Sequence, residues 1–216
     1  MEGVVEKIGN GRGLGNHGSE TGSQKRPGCR LISHFNTGYF QDRQTEKDRS
    51  MSYQIRKCTC EDINVLAATI RGSFRDVAER FGLTAENCPR HASNCSADWI
   101  EKDMDRGVTY FVLESEGRVA GSVALEQPKP GVCYLERLSV LPHQRRQGFG
   151  KALVAHALSK ARDLGCRRVG IGVIADQADL KDWYRKIGFE ETDNRAFSHL
   201  PFLVTFMTYP LTGSGQ

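Results

Sequence analysis

The spacing of apolar residues changes from helical to strand-like and back between residues 53 and 211. Over residues 63–81 apolar side chains recur every three or four positions, which is typical of a helix with one buried face. Shorter alternating or continuous apolar runs predict strands. The predicted elements are strand 53–56, helix 63–81, a short helix from Ser96, strands 108–113, 119–125 and 132–140, helix 148–164, strand 169–174, helix 177–187, and strands 189–192 and 203–209. This order predicts one α/β domain whose mixed sheet is flanked by helices.

Residues 1–50 show neither the helical nor the alternating spacing of apolar residues. Nine of the 23 glycines fall in this segment and apolar residues are sparse. Such a segment cannot bury enough apolar surface to offset the entropy lost on ordering. We therefore expect a disordered leader, or an extension foreign to the natural protein, over residues 1–50, and a folded domain over residues 51–216.

The composition excludes several classes of protein. The net charge of +4 is too small to indicate a nucleic-acid partner. No apolar run approaches the ~18 residues of a membrane-spanning helix, so we expect no membrane partner. The first 30 residues lack the apolar core of a secretory signal. With seven cysteines and no signal, we expect reduced thiols and a cytoplasmic location, with Cys133 and Cys166 as buried thiols.

A basic turn containing two glycines joins the predicted strand 132–140 to the predicted helix 148–164. It reads Arg145-Arg146-Gln147-Gly148-Phe149-Gly150-Lys151. The first N–H groups of a helix lack intrahelical partners and carry partial positive charge, so they suit a pyrophosphate. Glycines let phosphates approach the backbone, and basic residues here oppose the helix dipole unless an anion is bound. The turn predicts an anion site; a corner built only for packing is the alternative.

Two motifs together resemble the GNAT superfamily of N-acetyltransferases. They are Arg145-x-x-Gly148-x-Gly150, which resembles the family's acetyl-CoA signature, and Tyr184-x-x-x-Gly188-Phe189, which resembles its Y-x-x-x-G-F close. Two motifs in this order, about forty residues apart, are more specific than either alone. The resemblance covers roughly Tyr53 to Leu211. It implies a GNAT-like acyl-CoA N-acyltransferase fold, acetyl-CoA as the acyl donor, a primary amine as the acceptor and, as in many relatives, a homodimer.

The resemblance also implies roles for individual residues. The backbone of Leu138, Ser139 and Val140 would pair with the pantetheine arm, in a slot opened by a β-bulge. N–H groups from Arg146 to Lys151 would hold the pyrophosphate, with charge added by Arg145, Arg146 and Lys151. Gln177 would contact the cofactor where many relatives carry Asn, and Tyr184 would protonate the departing CoA thiolate. For Tyr184 the alternative is a tyrosine that only packs in the core.

Transfer to an amine requires a base, because a free alkylamine has a pKa near ~10.4 and must be neutral to attack. Glu136 stands about where some GNAT members carry a catalytic Glu; the alternative is a Glu that is ion-paired or solvated beside Arg137. His199, in the loop between the last two strands, is a rival base.

The acceptor stays open between a small cationic amine and a peptide or protein amine. Five acidic residues favour the cationic amine; they are Asp176, Asp179, Glu190, Glu191 and Asp193. Two other functions compete with the transferase. One is a non-catalytic acyl-CoA-binding or regulatory module on the same fold. The other is an adaptor with zinc at Cys58, Cys60, Cys88, His91 and Cys95, although the spacing matches no closed zinc site, so we expect no metal.

Overall fold

The protein, here as a computed structural model, is described over residues 52–211. Its elements there are β1 (Tyr53–Lys57), α1 (Ile63–Phe81), α2 (Ala97–Asp105), β2 (Thr109–Ser115), β3 (Arg118–Lys129), β4 (Val132–Val140), α3 (Phe149–Asp163), β5 (Arg168–Ile174), α4 (Ala178–Ile187), β6 (Glu190–Ala196) and β7 (Leu203–Pro210). The order of elements and the mixed sheet flanked by helices confirm the prediction. The expectation for residues 1–50 lies outside the described residues.

The strands form one sheet in the order β1-β2-β3-β4-β5-β7-β6. The β4–β5 pair is parallel and the other neighbouring pairs are antiparallel. Helices α1 and α3 both pack against β3 and β4. Phe74 of α1, Leu135 of β4 and Leu153 of α3 are fully buried in the shared core. Strand β4, which leads to the basic turn, is thereby packed against both helices.

A β-bulge interrupts the pairing of β3 with β4. Ser122 faces Ser139 and Ala124 faces Glu136, so Val123 alone opposes both Arg137 and Leu138. Arg137 adopts a left-handed backbone conformation with φ of 49°. An extra residue of this kind bends its strand. Pairing of β4 with β5 covers only residues 132–134 and 168–170 within the described chain. Beyond Tyr134 the two strands separate and leave a slot.

Strand β3 is longer than the sequence pattern predicts. Pro128 favours a turn after residue 125, yet the strand continues to Lys129, which faces Val132. A second register irregularity lies between Glu126 and Lys129. Proline is tolerated in a strand at such an irregularity because no ladder hydrogen bond needs its missing N–H.

Cys133 of β4 and Cys166, just before β5, form a disulfide. Their burial is confirmed, because each is at most 5% exposed. The prediction of free thiols is wrong for this pair. Neighbouring parallel strands bring the two residues together, and that adjacency cannot be seen from a separation of 33 positions.

Candidate active site

The slot between β4 and β5 is edged by backbone groups of β4. The N–H of Leu141 donates to the carbonyl of Ala120 on β3, at 2.9 Å. Backbone groups alternate in direction along a strand, so those of Val140 and Leu138 point to the other edge, into the slot. By the same alternation the backbone of Ser139 points to β3, and its hydroxyl donates to the Arg137 carbonyl at 2.9 Å. Val140 and Leu138 are therefore the β4 residues placed to pair with an extended ligand.

The N-terminus of α3 lies just after this edge. Gly148 is its first cap residue, with φ of 82°, and among the described residues no atom lies within 4 Å of a Cβ built there. Arg146, Gln147, Gly148 and Lys151 are exposed, whereas Phe149 and Gly150 are buried. The first turn carries no acidic residue and Gly148 offers no capping side chain. The first N–H groups of α3 thus face an open, positively charged surface, as an anion site requires.

Arg145 is bound to α1 instead of facing this surface. Its guanidinium forms an ion pair with Asp76 and donates to the Ser73 carbonyl at 2.8 Å. Its Nε donates to the Val140 carbonyl at 3.2 Å. The side chain therefore fixes the turn between α1 and the end of β4. It also occupies the Val140 carbonyl and leaves the N–H of Val140 as the donor at the slot.

Helix α4, which follows β5 in the chain, carries Tyr184, and Gln177 immediately precedes it. Gln177 precedes the helix, is 6% exposed, and its Oε1 accepts no hydrogen bond from the residues described. Tyr184 is fully buried, with its ring in edge contact with Trp183 and Phe189 at centroid distances of 4.8 Å and 5.2 Å. A buried amide oxygen without a donor is costly, and a ligand N–H would satisfy it.

Glu136 lies one residue before the bulge and is 7% exposed. Burial, followed by the nearby Glu126 carboxylate, raises the pKa of Glu136 from 4.5 to about 8, although Arg137 opposes this rise. Its Oε2 has no hydrogen-bond partner in the described part of the chain. A carboxylate whose pKa is close to neutral pH, with one oxygen available, is suited to take a proton from an amine.

Arg137, the bulged residue, is itself buried and anchors a polar cluster. It is ion-paired with Asp103 of α2 and donates to the Tyr110 hydroxyl, which donates to Asp103 at 2.9 Å. Its guanidinium also lies 5.9 Å from the centroid of the Trp99 ring. Arg137 is therefore ion-paired with Asp103 and not with Glu136.

Comparison with known proteins identifies the family and the fold. Residues 75–189 match the model of the acetyltransferase (GNAT) family. The chain belongs to the GNAT family. It is 28% identical over 142 residues to the uncharacterized N-acetyltransferase YjgM of Escherichia coli strain K12, which covers 64% of this chain and 83% of YjgM. The family predicted by resemblance is confirmed, and the chain is an N-acetyltransferase.

Solved structures agree in fold. PaiA N-acetyltransferase of Thermoplasma acidophilum in complex with coenzyme A has a TM-score of 0.62 at 20% identity, over 74% of this chain and 99% of that one. YncA of Salmonella typhimurium with its cofactor acetyl-CoA has a TM-score of 0.56 at 18% identity, over 76% of this chain and 96% of that one. At these identities the likeness concerns the GNAT fold.

Of the rival residues, one is an exposed histidine and two are carboxylates held in ion pairs. His199 is exposed and its ring contacts Phe197. Of the five acidic residues that favour a cationic acceptor, Glu191 is paired with Arg185 and Asp193 with Arg195. Within residues 52–211 no three His, Cys, Asp or Glu are grouped to hold a metal. No helix there has the length and apolarity to cross a membrane.

The sequence does not identify two residues of the site, Glu126 and Asp103. Glu126, which raises the pKa of Glu136, follows the predicted strand 119–125 and belongs to no motif. Asp103, which takes Arg137 away from Glu136, lies on a predicted helix with no motif around it. Only the pairing of β3 with β4, and the packing of α2 on them, brings these carboxylates to Glu136. The sequence carries no local signal for either contact.

Proposed function

We propose that this GNAT enzyme transfers the acetyl group of acetyl-CoA directly to a primary amine of a small molecule, peptide or protein, without a covalent enzyme intermediate. The observation that carries the proposal is the separation of β4 and β5 beside the uncapped N-terminus of α3. A slot edged by backbone N–H and C=O groups fits an amide-containing arm. The adjacent helix N-terminus fits a pyrophosphate. Coenzyme A contains both, in that order.

The donor site follows from this placement. N–H groups of residues 146–151 hold the pyrophosphate, with charge from Arg146 and Lys151. Backbone groups of Leu138 and Val140 pair with the pantetheine arm, and the Val140 N–H polarises the thioester carbonyl. Gln177, with a buried oxygen lacking a donor, accepts from an N–H of the arm. The complexes of PaiA with coenzyme A and of YncA with acetyl-CoA support this donor.

The chemical step uses two side chains. Glu136, when ionised, takes a proton from the acceptor ammonium, directly or through water. The neutral amine attacks the thioester carbon, so a C–N bond forms and the C–S bond breaks. Tyr184 gives its phenolic proton to the departing sulfur, which leaves as the thiol. The nitrogen loses its second proton to water as the amide forms, and the Tyr184 phenolate takes a proton back from water. The N–H of Val140 stabilises the negative oxygen between these events.

A non-catalytic acyl-CoA-binding module is the second candidate. The observation in its favour is the complete burial of Tyr184 among aromatic rings, which a core residue would also show. Release of CoA thiol from acetyl-CoA, measured with and without a panel of amines, separates the two. Amine-dependent release by the full chain that is lost in Glu136→Gln supports the enzyme. Saturable binding of acetyl-CoA with no amine-dependent release supports the binding module.

A cytoplasmic location and a homodimer belong to the proposal as well. The location rests on the thiols of Cys58, Cys60 and Cys95, because glutathione keeps such groups reduced in that compartment; the Cys133–Cys166 disulfide is of a kind that is rare there and weighs against it. Quantitative alkylation of these three thiols in protein taken from cells supports it, and their oxidation contradicts it. Sedimentation velocity of the full chain tests the homodimer.

A further inference from the structure

A cavity of about 410 Å³ lies between α2 and the bulge of β4. Its walls include Arg90, Trp99, Lys102, Asp103, Arg106 and Arg137. It lies on the α2 side of the bulge, whereas the proposed donor site follows the C-terminal end of β4. The proposed chemistry leaves this cavity without a role.

Most of the charge in these walls is positive, and part of it is neutralised internally. Asp103 forms ion pairs with both Arg106 and Arg137. Arg106 also lies 3.6 Å from a carboxylate oxygen of Glu126. The single carboxylate of Asp103 therefore neutralises part of the charge of two guanidinium groups. Asp105 is the other acidic residue of the lining.

The other donors of the cationic wall have no partner in the described chain. Arg90 and Lys102 are exposed and form no ion pair with any residue of 52–211. Arg137 uses Nη1 for both Asp103 and Tyr110, so its Nε and Nη2 have no partner among the residues described. These donors surround one cavity. A small ligand with a planar oxyanion would satisfy them, because a guanidinium binds a carboxylate through two parallel N–H groups.

The cavity adjoins the proposed base. Arg137 lines it and Glu136 precedes Arg137 in β4. Asp103 of α2 is near both residues, since its charge acts on Glu136 and it is ion-paired with Arg137. Consecutive Cα atoms are only ~3.8 Å apart. An acceptor whose amine reaches Glu136 therefore has the cationic wall within the length of one small molecule.

We propose that the acceptor is a small amino carboxylate, whose carboxylate binds Arg90, Lys102 and Arg137 while its amine faces Glu136. This inference rests on the proposed transferase function and narrows its acceptor. A polyamine would bring a second positive charge to these cations. A peptide N-terminus would bring an uncharged amide where the carboxylate belongs. Trp99 adds an apolar wall beside the carboxylate site.

The test is acetyl-CoA consumption by the full chain with three sets of acceptors. The first set is the common α- and ω-amino acids, the second is their carboxamides, and the third is amines without a carboxylate, including spermidine and O-phosphoethanolamine. We expect turnover in the first set, and kcat/KM lower by at least about tenfold for each matching carboxamide. In an Arg90→Ala/Lys102→Ala variant that difference should shrink severalfold, through KM more than kcat. Both residues are exposed, so folding should be unaffected.

The matched control is Arg162→Ala/Lys129→Ala, which removes the same charges from exposed positions outside the cavity. It should keep the wild-type preference. Equal or faster turnover of carboxamides or spermidine overturns the inference, and so does O-phosphoethanolamine as the best acceptor. Binding of acetyl-CoA without turnover of any amino acid also overturns it, with the donor site intact. Failure to bind acetyl-CoA at all is visible separately by calorimetry and removes the transferase proposal together with this one.

Discussion

Glu136 is the residue whose chemistry depends most on its neighbours. Its neutral form is favoured by burial and by Glu126, and only its ionised form can accept a proton. We expect kcat/KM of the wild type to rise with pH through an inflection near about 8, the pKa of the free enzyme's base. Glu136→Gln should lower kcat/KM by ~100-fold or more and remove that inflection. Steady-state kinetics across pH, with acetyl-CoA affinity as the control for an intact site, measures this.

Glu126→Gln is the matched variant, because it removes the neighbouring charge and leaves the base in place. The inflection should then move to lower pH. An unchanged inflection in Glu126→Gln, or one that persists in Glu136→Gln, would show that another group or the acceptor amine itself determines the profile.

The same carboxyl links pH to stability. Its pKa is raised in the folded state, so the folded chain binds this proton more tightly than the unfolded chain does. The contribution is complete below the ordinary value of 4.5 and is lost as pH rises through about 8. Urea unfolding at both ends of this range should show a steeper loss of the free energy of unfolding in wild type than in Glu136→Gln. Equal slopes would contradict the assignment.

Tyr184 combines a packing role with a proposed proton transfer. Tyr184→Phe keeps the ring contacts with Trp183 and Phe189 and removes only the hydroxyl. We expect kcat to fall about 100-fold with little change in acetyl-CoA affinity. Tyr209→Phe is the control, because the Tyr209 ring also contacts Phe189, with a centroid distance of 5.4 Å. Equal rates in both variants would leave Tyr184 as a core residue only.

At the scale of elements, α3 offers an internal comparison between its two ends. Gly148 before it and Gly165 after it both have positive φ, 82° and 68°, and a Cβ at either meets no described atom within 4 Å. Alanine at each should cost ~1–3 kcal/mol of stability through the same backbone strain. Only Gly148→Ala should weaken acetyl-CoA binding, by at least about tenfold, because phosphate approaches that end. Calorimetric titration of both variants decides this, and equal weakening would contradict a phosphate site there.

The Arg145 contact between α1 and the turn makes a second comparison. Arg145→Lys keeps the charge but loses the planar guanidinium, whose nitrogens contact Asp76, Ser73 and Val140 at the same time. We expect acetyl-CoA affinity to fall in Arg145→Lys and to be retained in the exposed control Arg146→Lys. If both lysine variants bind as wild type does, Arg145 acts through charge alone.

The elements themselves could be predicted from local signals. Residues 63–81 have a helical period and a glycine at the end, and the helix is observed over those same residues. The bounds of strand 132–140 are also confirmed. The predicted end of β3 at residue 125 is wrong. Turn residues favour an early end of the strand, but pairing with β4 extends it. The β-propensity of individual residues contains no information about contacts with a partner strand.

At the scale of the whole molecule, the motifs predicted the family and left the contacts of the site unseen. Arg145 belongs to the signature, yet its side chain is committed to a helix some seventy residues earlier. The raised pKa of Glu136, the cavity by α2 and the Cys133–Cys166 pair all depend on strands or helices distant in sequence. Such features arise from packing, and a linear pattern of residue types does not contain them.

The described site lies within residues 52–211, so acetyl-CoA affinity should be equal in the full chain and in residues 51–216. The most direct measurement of the central claim is calorimetric titration of the full chain with acetyl-CoA, beside Gly148→Glu/Gly150→Glu and the control Gly165→Glu. We expect saturable binding in wild type and in Gly165→Glu, and none in the double variant, because two carboxylates would repel the pyrophosphate at the α3 N-terminus. Absence of binding in folded wild type, or undiminished binding in the double variant, would contradict the account.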